Sequence, residues 1–253
     1  MLALQRQQEI LAMAQRQGAV RVAQLAELFN VTEETIRRDL TMLENAGRLT
    51  RSHGGAVLAQ AERHEVPHHQ RETLYRTEKI QIARMAVKQV VEGDTLLLDA
   101  SSTALFLAQV LPNWPLTVLT NSLLVIQTLA RHSQIKLVSL GGTFIPVSMS
   151  FLGPTAQRTL EEYHVNKLFF SCRGLDAMRG MTDPSEGSAQ LKQHMLTSAD
   201  ERILLMDHSK VGVRALAVIA GLDRITQLIT DEPIEGALLD QLSERSIDIT
   251  YAL

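Results

Sequence analysis

From about residue 77 onward, short apolar runs alternate with amphipathic segments of about ten residues, and this alternation constrains the fold more than any other feature. EKIQIARMAVKQVV precedes TLLLDA, TALFLAQVL precedes LTVLTNS, and LLVIQTLARH precedes IKLVSLGG. NKLFFSCRG and RILLMDHSK repeat the theme. Such a pattern predicts an α/β domain with a mostly parallel sheet. The chain has 253 residues, of which 45% are hydrophobic, enough for a sizeable core without staples. Its single cysteine, Cys172, excludes an internal disulfide and a cysteine-based zinc site, and is expected to be a small buried residue, not a redox sensor. No apolar stretch approaches the roughly 20 residues that span a bilayer, and the polar start MLALQRQQEI does not read as a signal peptide. A cytoplasmic protein with no membrane role is expected.

In parallel sheets, ligands gather beyond the carboxyl ends of the strands. Five successive ends carry small, hydroxyl, amide, glycine or charged residues. They are Asp99-Ala100-Ser101-Ser102-Thr103, Thr120-Asn121-Ser122, Gly141-Gly142-Thr143, Cys172-Arg173-Gly174-Leu175-Asp176, and Asp207-His208-Ser209-Lys210. Any one of them could be a cap or a turn. Together on one edge they describe a pocket for a hydroxylated anion such as a sugar phosphate. Ser101, Ser102 and Thr103 stand at a helix start, where free N–H groups favour an anion. Gly141 and Gly142 let backbone approach a ligand. Lys210 can meet a phosphate, while Asp99, Asn121 and Asp176 can bond sugar hydroxyls, with Thr120 beside them. Arg173 could meet a carboxylate or second anion on the effector, or pair with Asp176. Lys192 could meet a ligand or lie on a helix face, and the helix face is the expectation.

The first part of the chain is different. LQRQQEILAMAQRQ places Ile10, Leu11 and Ala14 on one helical face, with Gly18 as a stop. RVAQLAELFN gives a short second helix facing inward through Val22, Leu25, Ala26 and Phe29. A tight turn follows, and Thr32 is placed to cap EETIRRDLTMLENAG, which ends at Gly47. Ile36, Leu40 and Leu43 face inward there, leaving Thr35, Arg37, Arg38 and Thr41 outside. This is a helix-turn-helix pattern, with its recognition helix suited to the major groove. GRLTRSHGGAV reads as a following hairpin, a wing that would carry Arg51 and His53 to the DNA backbone or minor groove. Asp39 is expected to pair with a neighbouring arginine or to cap locally.

VAQLAELFNVTEETIRRDLTMLENAGRLTRSHGGA resembles the N-terminal signature of the DeoR family of bacterial transcriptional regulators. Thr-Ile-Arg-Arg-Asp-Leu, Leu-Glu-x-x-Gly and Arg-x-His-Gly-Gly-Ala stand in order and spacing. The resemblance implies groove contacts from Thr32, Glu34, Thr35, Arg37 and Arg38, and wing contacts from Arg51 and His53. It extends through FLGPTA and LMDHSKVG, and so covers essentially the whole chain. It implies an effector domain similar in fold to ribose-5-phosphate isomerase, a sugar-phosphate ligand, a repressor of sugar catabolism that binds a double-stranded operator, and a homo-oligomer, dimer or tetramer. The isomerase's lysine-triple-glycine segment is absent from MTDPSEGSAQLKQHM, where Glu186 is the remaining candidate base. Binding without turnover is therefore expected, with no catalytic residue, cofactor or metal. An isomerase with an accessory DNA-binding head is the alternative, and an architectural protein whose large domain only oligomerises is a third.

The expected organisation is a winged head over residues 1–57 (helix-turn-helix at about 20–46), a linker over 58–76, and an effector and oligomerisation domain over 77–253. The linker is expected to carry a helical part after Pro67; it contains His64, His68 and His69, but Pro67 interrupts them and no cysteine or carboxylate completes an obvious metal set, so a solvated segment is expected.

Overall fold

The computed structural model describes residues 3–17, 19–45, 48–52, 54–58 and 65–252. The helix stops expected at Gly18 and Gly47, the wing residue His53, and His64 lie outside the described residues. The chain divides into two compact units, Met1–Glu62 and Arg63–Leu253.

The smaller unit runs α1 (Ala3–Gln17), β1 (Ala19–Arg21), α2 (Val22–Phe29), α3 (Glu33–Asn45), β2 (Leu49–Ser52) and β3 (Gly55–Leu58). Asn30, at φ 51, ends α2 in the left-handed conformation that asparagine tolerates. Two residues later the Thr32 hydroxyl accepts from the Thr35 N–H at 3.2 Å, capping α3. The expected apolar faces meet in one core, with Ile10, Ala14, Val22, Leu25, Ile36, Leu40 and Leu43 all buried. Strand β1 was not expected. It lies beside β3, in the sheet order β1-β3-β2, where a side chain at Gly55 would run into the Val20 carbonyl. Asp39 corrects another expectation. Its carboxylate is buried and reaches across the core to α1, accepting from Arg6 Nε at 2.5 Å and Gln7 Nε2 at 3.0 Å. The partner lies 33 residues away, on the helix packed over α3, and not on α3 itself.

The larger unit opens with α4 (His68–Thr73), α5 (Arg76–Ala86), β4 (Thr95–Leu98), α6 (Ser102–Val110), β5 (Leu116–Thr120), α7 (Leu123–Leu129) and β6 (Ile135–Ser139). It continues with β7 (Thr143–Ile145), β8 (Ser150–Leu152), α8 (Pro154–Glu161), β9 (Val165–Phe170), β10 (Gly174–Asp176), β11 (Gly180–Asp183) and α9 (Glu186–Thr197). Last come β12 (Ala199–Met206), β13 (Ala217–Ala220), β14 (Gln227–Thr230), α10 (Ala237–Glu244) and β15 (Asp248–Tyr251). Seven strands form one sheet in the order β15-β14-β12-β9-β4-β5-β6, and every pairing in it is parallel. Alternate strand residues explain why both faces are covered. Leu97, Leu168, Phe170, Leu204 and Leu228 pack under α8, α9 and α10 through Leu160, Met195 and Leu242. Leu96, Leu98, Phe169, Ile203 and Ile229 pack under α5, α6 and α7 through Ile82, Phe106 and Val125. The result is a three-layer α/β/α domain.

The stretch expected as a solvated linker is partly structural. His68 is buried, its N–H donates to the Val147 carbonyl at 2.8 Å, and its Nδ1 meets Glu72 at 2.8 Å. Tyr75, at φ 50, turns α4 into α5.

Candidate functional site

Strands β4 and β9 are neighbours although four other strands separate them in sequence. The chain leaves this pair in opposite directions, so a crevice opens beyond their carboxyl ends. Asp99 welds its floor. Its N–H donates to the Phe169 carbonyl at 3.3 Å, and its carboxylate accepts the N–H groups of Ser101 at 3.1 Å and Ser171 at 3.2 Å. At the same end of α6, Ser101 accepts from Ala104 N–H as a helix cap, and the Thr103 hydroxyl is buried without a partner.

Lys192 corrects the expectation of an outer helix face. Its ammonium donates to Asp183 Oδ2 and to the Ser171 carbonyl, both at 2.7 Å, and lies 3.4 Å from Asp99. The β10–β11 hairpin ends at Asp183 and delivers that carboxylate to the inner side of α9. Burial alone would discharge Lys192, but Asp183 and Asp99 outweigh it and push its pKa up. Lys192 thus stays an ammonium between two acidic side chains.

A second group of cations stands beside it. Lys210 donates to the Ser171 hydroxyl at 2.7 Å and lies 3.6 Å from Asp207. Burial raises the Asp207 carboxyl, but Lys210, Lys79 and the Ser209 hydroxyl bring it below its ordinary value. Lys79 is buried and donates to the carbonyls of Arg71 at 2.6 Å and Leu74 at 2.7 Å, closing the end of α4. Burial, with Lys210 and Arg71 beside it, lowers its pKa to about 7. Arg71 lies in the field of Asp183, Asp99 and Arg173, and its Nε and Nη2 are buried without a hydrogen-bond partner, although Glu65 stands 4.0 Å away.

Ser171 links Asp99 to Lys210, its N–H donating to the carboxylate and its hydroxyl accepting from the ammonium, while the Arg173 N–H donates to the Thr182 carbonyl at 2.9 Å. Other candidates have local duties. Thr120 is buried, with its hydroxyl donating to the Leu98 carbonyl and accepting from Ser122 N–H. Asn121 gives its amide N–H to the Phe151 carbonyl, while its Oδ1 is buried and unpartnered. Gly142 is required because a side chain there would meet the Leu152 carbonyl across the β7–β8 hairpin, and Gly141 beside it adopts φ +68. Asp176 pairs with Arg214 at 2.9 Å and accepts from the Met178 and Arg179 N–H groups, closing its own turn. Ser102 is buried in the first turn of α6. Cys172 is buried, which pushes its thiol up to about 11, as expected for a packing residue.

Arg71, Lys79 and Asp183 were not singled out, and Lys192 was placed on a helix face. Charges on amphipathic helices read as solvent-facing, and the clearest available signal was a lysine in the otherwise apolar row of α5. His208, Asp231 and Glu232 form a group that could hold a cation by spacing. Both Asp231 oxygens already accept from His208, one from its N–H at 2.7 Å and one from Nδ1 at 2.6 Å, which raises the imidazole's pKa. This cluster is a clamp at the end of β12.

In the smaller unit, α3 exposes Thr32, Glu34, Arg37, Arg38 and Thr41, with Thr35 half-buried. The Thr32 and Thr35 hydroxyls bond each other at 2.9 Å. Arg37 is bonded to Glu33 and lies 3.7 Å from Glu34. Arg51 turns toward α3, where it donates to the Arg37 carbonyl and the Thr41 hydroxyl. Helix, turn and exposed second helix followed by a β2–β3 hairpin form a winged helix-turn-helix.

Residues 6–62 match the DeoR-like helix-turn-helix domain, and residues 75–232 match the DeoR C terminal sensor domain. The chain belongs to the DeoR family. It is 43% identical over 250 residues to an uncharacterized HTH-type transcriptional regulator, YulB, of Bacillus subtilis, covering 99% of this chain and 97% of that one. The lactose phosphotransferase system repressor of Streptococcus mutans is 35% identical, with 90% and 91% covered. The L-fucose operon activator of Escherichia coli is 33% identical, with 90% and 94% covered. Among solved structures, ribose 5-phosphate isomerase A from Methanocaldococcus jannaschii aligns over 54% of this chain and 55% of its own, at 20% identity and a TM-score of 0.41. This DeoR-family chain is a transcriptional regulator built from a DNA-binding head and a small-molecule sensor domain. No described helix is long and apolar enough to cross a membrane.

Proposed function

We propose that this DeoR-family regulator represses a carbohydrate-utilisation operon, and that a sugar phosphate bound in the crevice between β4 and β9 weakens its hold on the operator. The observation that carries the effector half is the gathering of Lys210, Lys79, Arg71 and Arg173 around strand ends that also offer polar groups. Arg71 keeps buried donors with no bonded partner, and Thr103 a buried hydroxyl. Buried donors of this kind are costly unless an acceptor arrives, and a phosphate supplies several. Asn121, whose Oδ1 is buried without a partner, suits a sugar hydroxyl, and Asp99 holds the floor beneath it. In this reading Ser101, Ser102, Thr120, Gly141, Gly142 and Asp176 shape the crevice, while Lys210 and Arg71 grip the anion. Two of the relatives are named for sugar systems, one as an L-fucose operon activator and one as a lactose phosphotransferase system repressor. A homo-oligomer, dimer or tetramer, would set the spacing of its heads on the two halves of an operator.

Gel shift on the DNA upstream of its own and neighbouring genes tests this, with a panel of pentose and hexose phosphates added. One compound should release the DNA at a concentration where the others do not. Lys210→Ala should leave DNA affinity unchanged and raise the effector concentration for half-release by tenfold or more, about the worth of one charge-assisted contact. Release by no sugar phosphate would refute the effector, and tighter binding on its addition would refute the mode of response.

A further inference from the structure

Strand β2 is the outer strand of the head's sheet, so N–H groups on its free side need acceptors from elsewhere. Arg51 uses α3 for this. Its backbone N–H donates to Glu44 Oε1 at 3.0 Å, and its Nη1 donates to the Arg37 carbonyl and the Thr41 hydroxyl, each at 3.1 Å. The Thr41 hydroxyl in turn donates to the Arg37 carbonyl at 2.8 Å. Leu49, two residues earlier and on the same side of the strand, is 2% exposed in the head's core. Arg51 therefore continues the inward row of the wing, over its seam with the recognition helix. Its Nε is buried.

We infer that Arg51 is a positioning residue for DNA recognition, fixing the angle between wing and recognition helix, and that it neutralises no DNA phosphate. The inference rests on the DNA-binding role of the head. A winged head must set its helix in the major groove and its hairpin on the flanking backbone at once, so the angle between them sets how many contacts form together. The Arg51 side chain and the Glu44 carboxylate both tie β2 to α3 and hold that angle. Arg38 is the contrasting case. It is exposed on α3 and enters none of these bonds, which leaves its charge available to a phosphate.

Duplexes enriched from a random pool by the full-length chain provide the probe, and affinity is followed as salt is varied. Arg51→Ala should weaken binding about tenfold. The slope of log affinity against log salt should stay at the wild-type value, because no phosphate contact is lost. Arg38→Ala should weaken binding and make that slope shallower by about 0.9. Arg51→Lys keeps the charge, but its Nζ falls one bond short of the place of Nη1, the nitrogen that makes both bonds to α3, so a positioning role predicts a loss close to that of alanine. Thr41→Val should reproduce part of the loss, and adding it to Arg51→Ala should cost little more. A slope shallower by about 0.9 for Arg51→Ala, or full affinity in Arg51→Lys, would overturn the inference. If Arg51→Ala does not fold, Arg51→Lys and Thr41→Val decide between the roles. Enrichment of no duplex by the wild type would overturn the DNA-binding role as well, and so marks a separate failure.

Discussion

Replacing Lys192 with methionine should lower the unfolding free energy of the sensor domain by about 3–5 kcal/mol, measured by urea denaturation of the full chain. The size follows from what is left behind. Lys192 stands 2.7 Å from Asp183 and 3.4 Å from Asp99, both buried, and also holds the Ser171 carbonyl. Without the ammonium, two carboxylates face each other across the crevice floor with no counter-charge. One must take up a proton, and the backbone bonds that Asp99 accepts from Ser101 and Ser171 weaken with it. Adding Asp183→Asn to the methionine variant removes one of the stranded charges, so the pair should lose less than the sum of the single changes. A loss below about 1 kcal/mol in Lys192→Met would mean that water already screens the triad, as it does for exposed pairs.

Effector binding should weaken as pH rises above 7, by up to about tenfold per unit, with one proton taken up per ligand bound. The group responsible is Lys79. Burial and the neighbouring Lys210 and Arg71 hold its pKa near 7, with Asp207 acting in the opposite direction and Arg173 in the same one. An anion placed among these cations favours the charged ammonium and raises its pKa. Between the free and bound values the complex holds a proton that the free protein lacks, so alkali opposes binding. The ligand's own phosphate is already a dianion in this range and adds little. Titration calorimetry in two buffers of different ionisation enthalpy reads the proton directly, and Lys79→Met should abolish both uptake and slope. Affinity that stays flat from pH 7 to 9 would refute the linkage. The ligand-free protein should show the opposite trend from the same residue. Unfolded Lys79 titrates near its ordinary value of 10.5. Between about 7 and that value the unfolded chain therefore binds the extra proton, and Lys79's contribution to stability rises with pH.

The layered α/β architecture was legible because strands buried on both faces leave long apolar runs, as in TLLLDA and NKLFFS. The helix-turn-helix was legible for a similar reason, since Ile36, Leu40 and Leu43 mark one face and Thr32 marks its start. What escaped detection depends on partners distant in sequence. Asp39 finds Arg6 across 33 residues, and Lys192 finds Asp99 and the Ser171 carbonyl only after the hairpin and sheet have formed. Arg71 sits on a helix of six residues after a proline, too short to show any period. Residues such as Thr120 and Asp176 are polar strand ends by sequence, yet their side chains are engaged in local turns. A list of polar ends cannot separate a ligand contact from a cap, because both use the same donors and acceptors.

The adjacency of β4 and β9 has a consequence for synthesis of the chain. Asp99 and the Ser171 N–H that it accepts are 72 residues apart, and Lys210 follows later still. Non-local parallel pairings of this kind close late and slowly. A nascent chain extended only through β6 carries the Asp99–Thr103 end with Arg71 and Lys79, but lacks Ser171, Lys192 and Lys210. The crevice therefore exists only in a sensor domain whose two halves have come together. A small anion that fits it would act as a pharmacological chaperone, rescuing slow-folding variants by trapping the finished sheet.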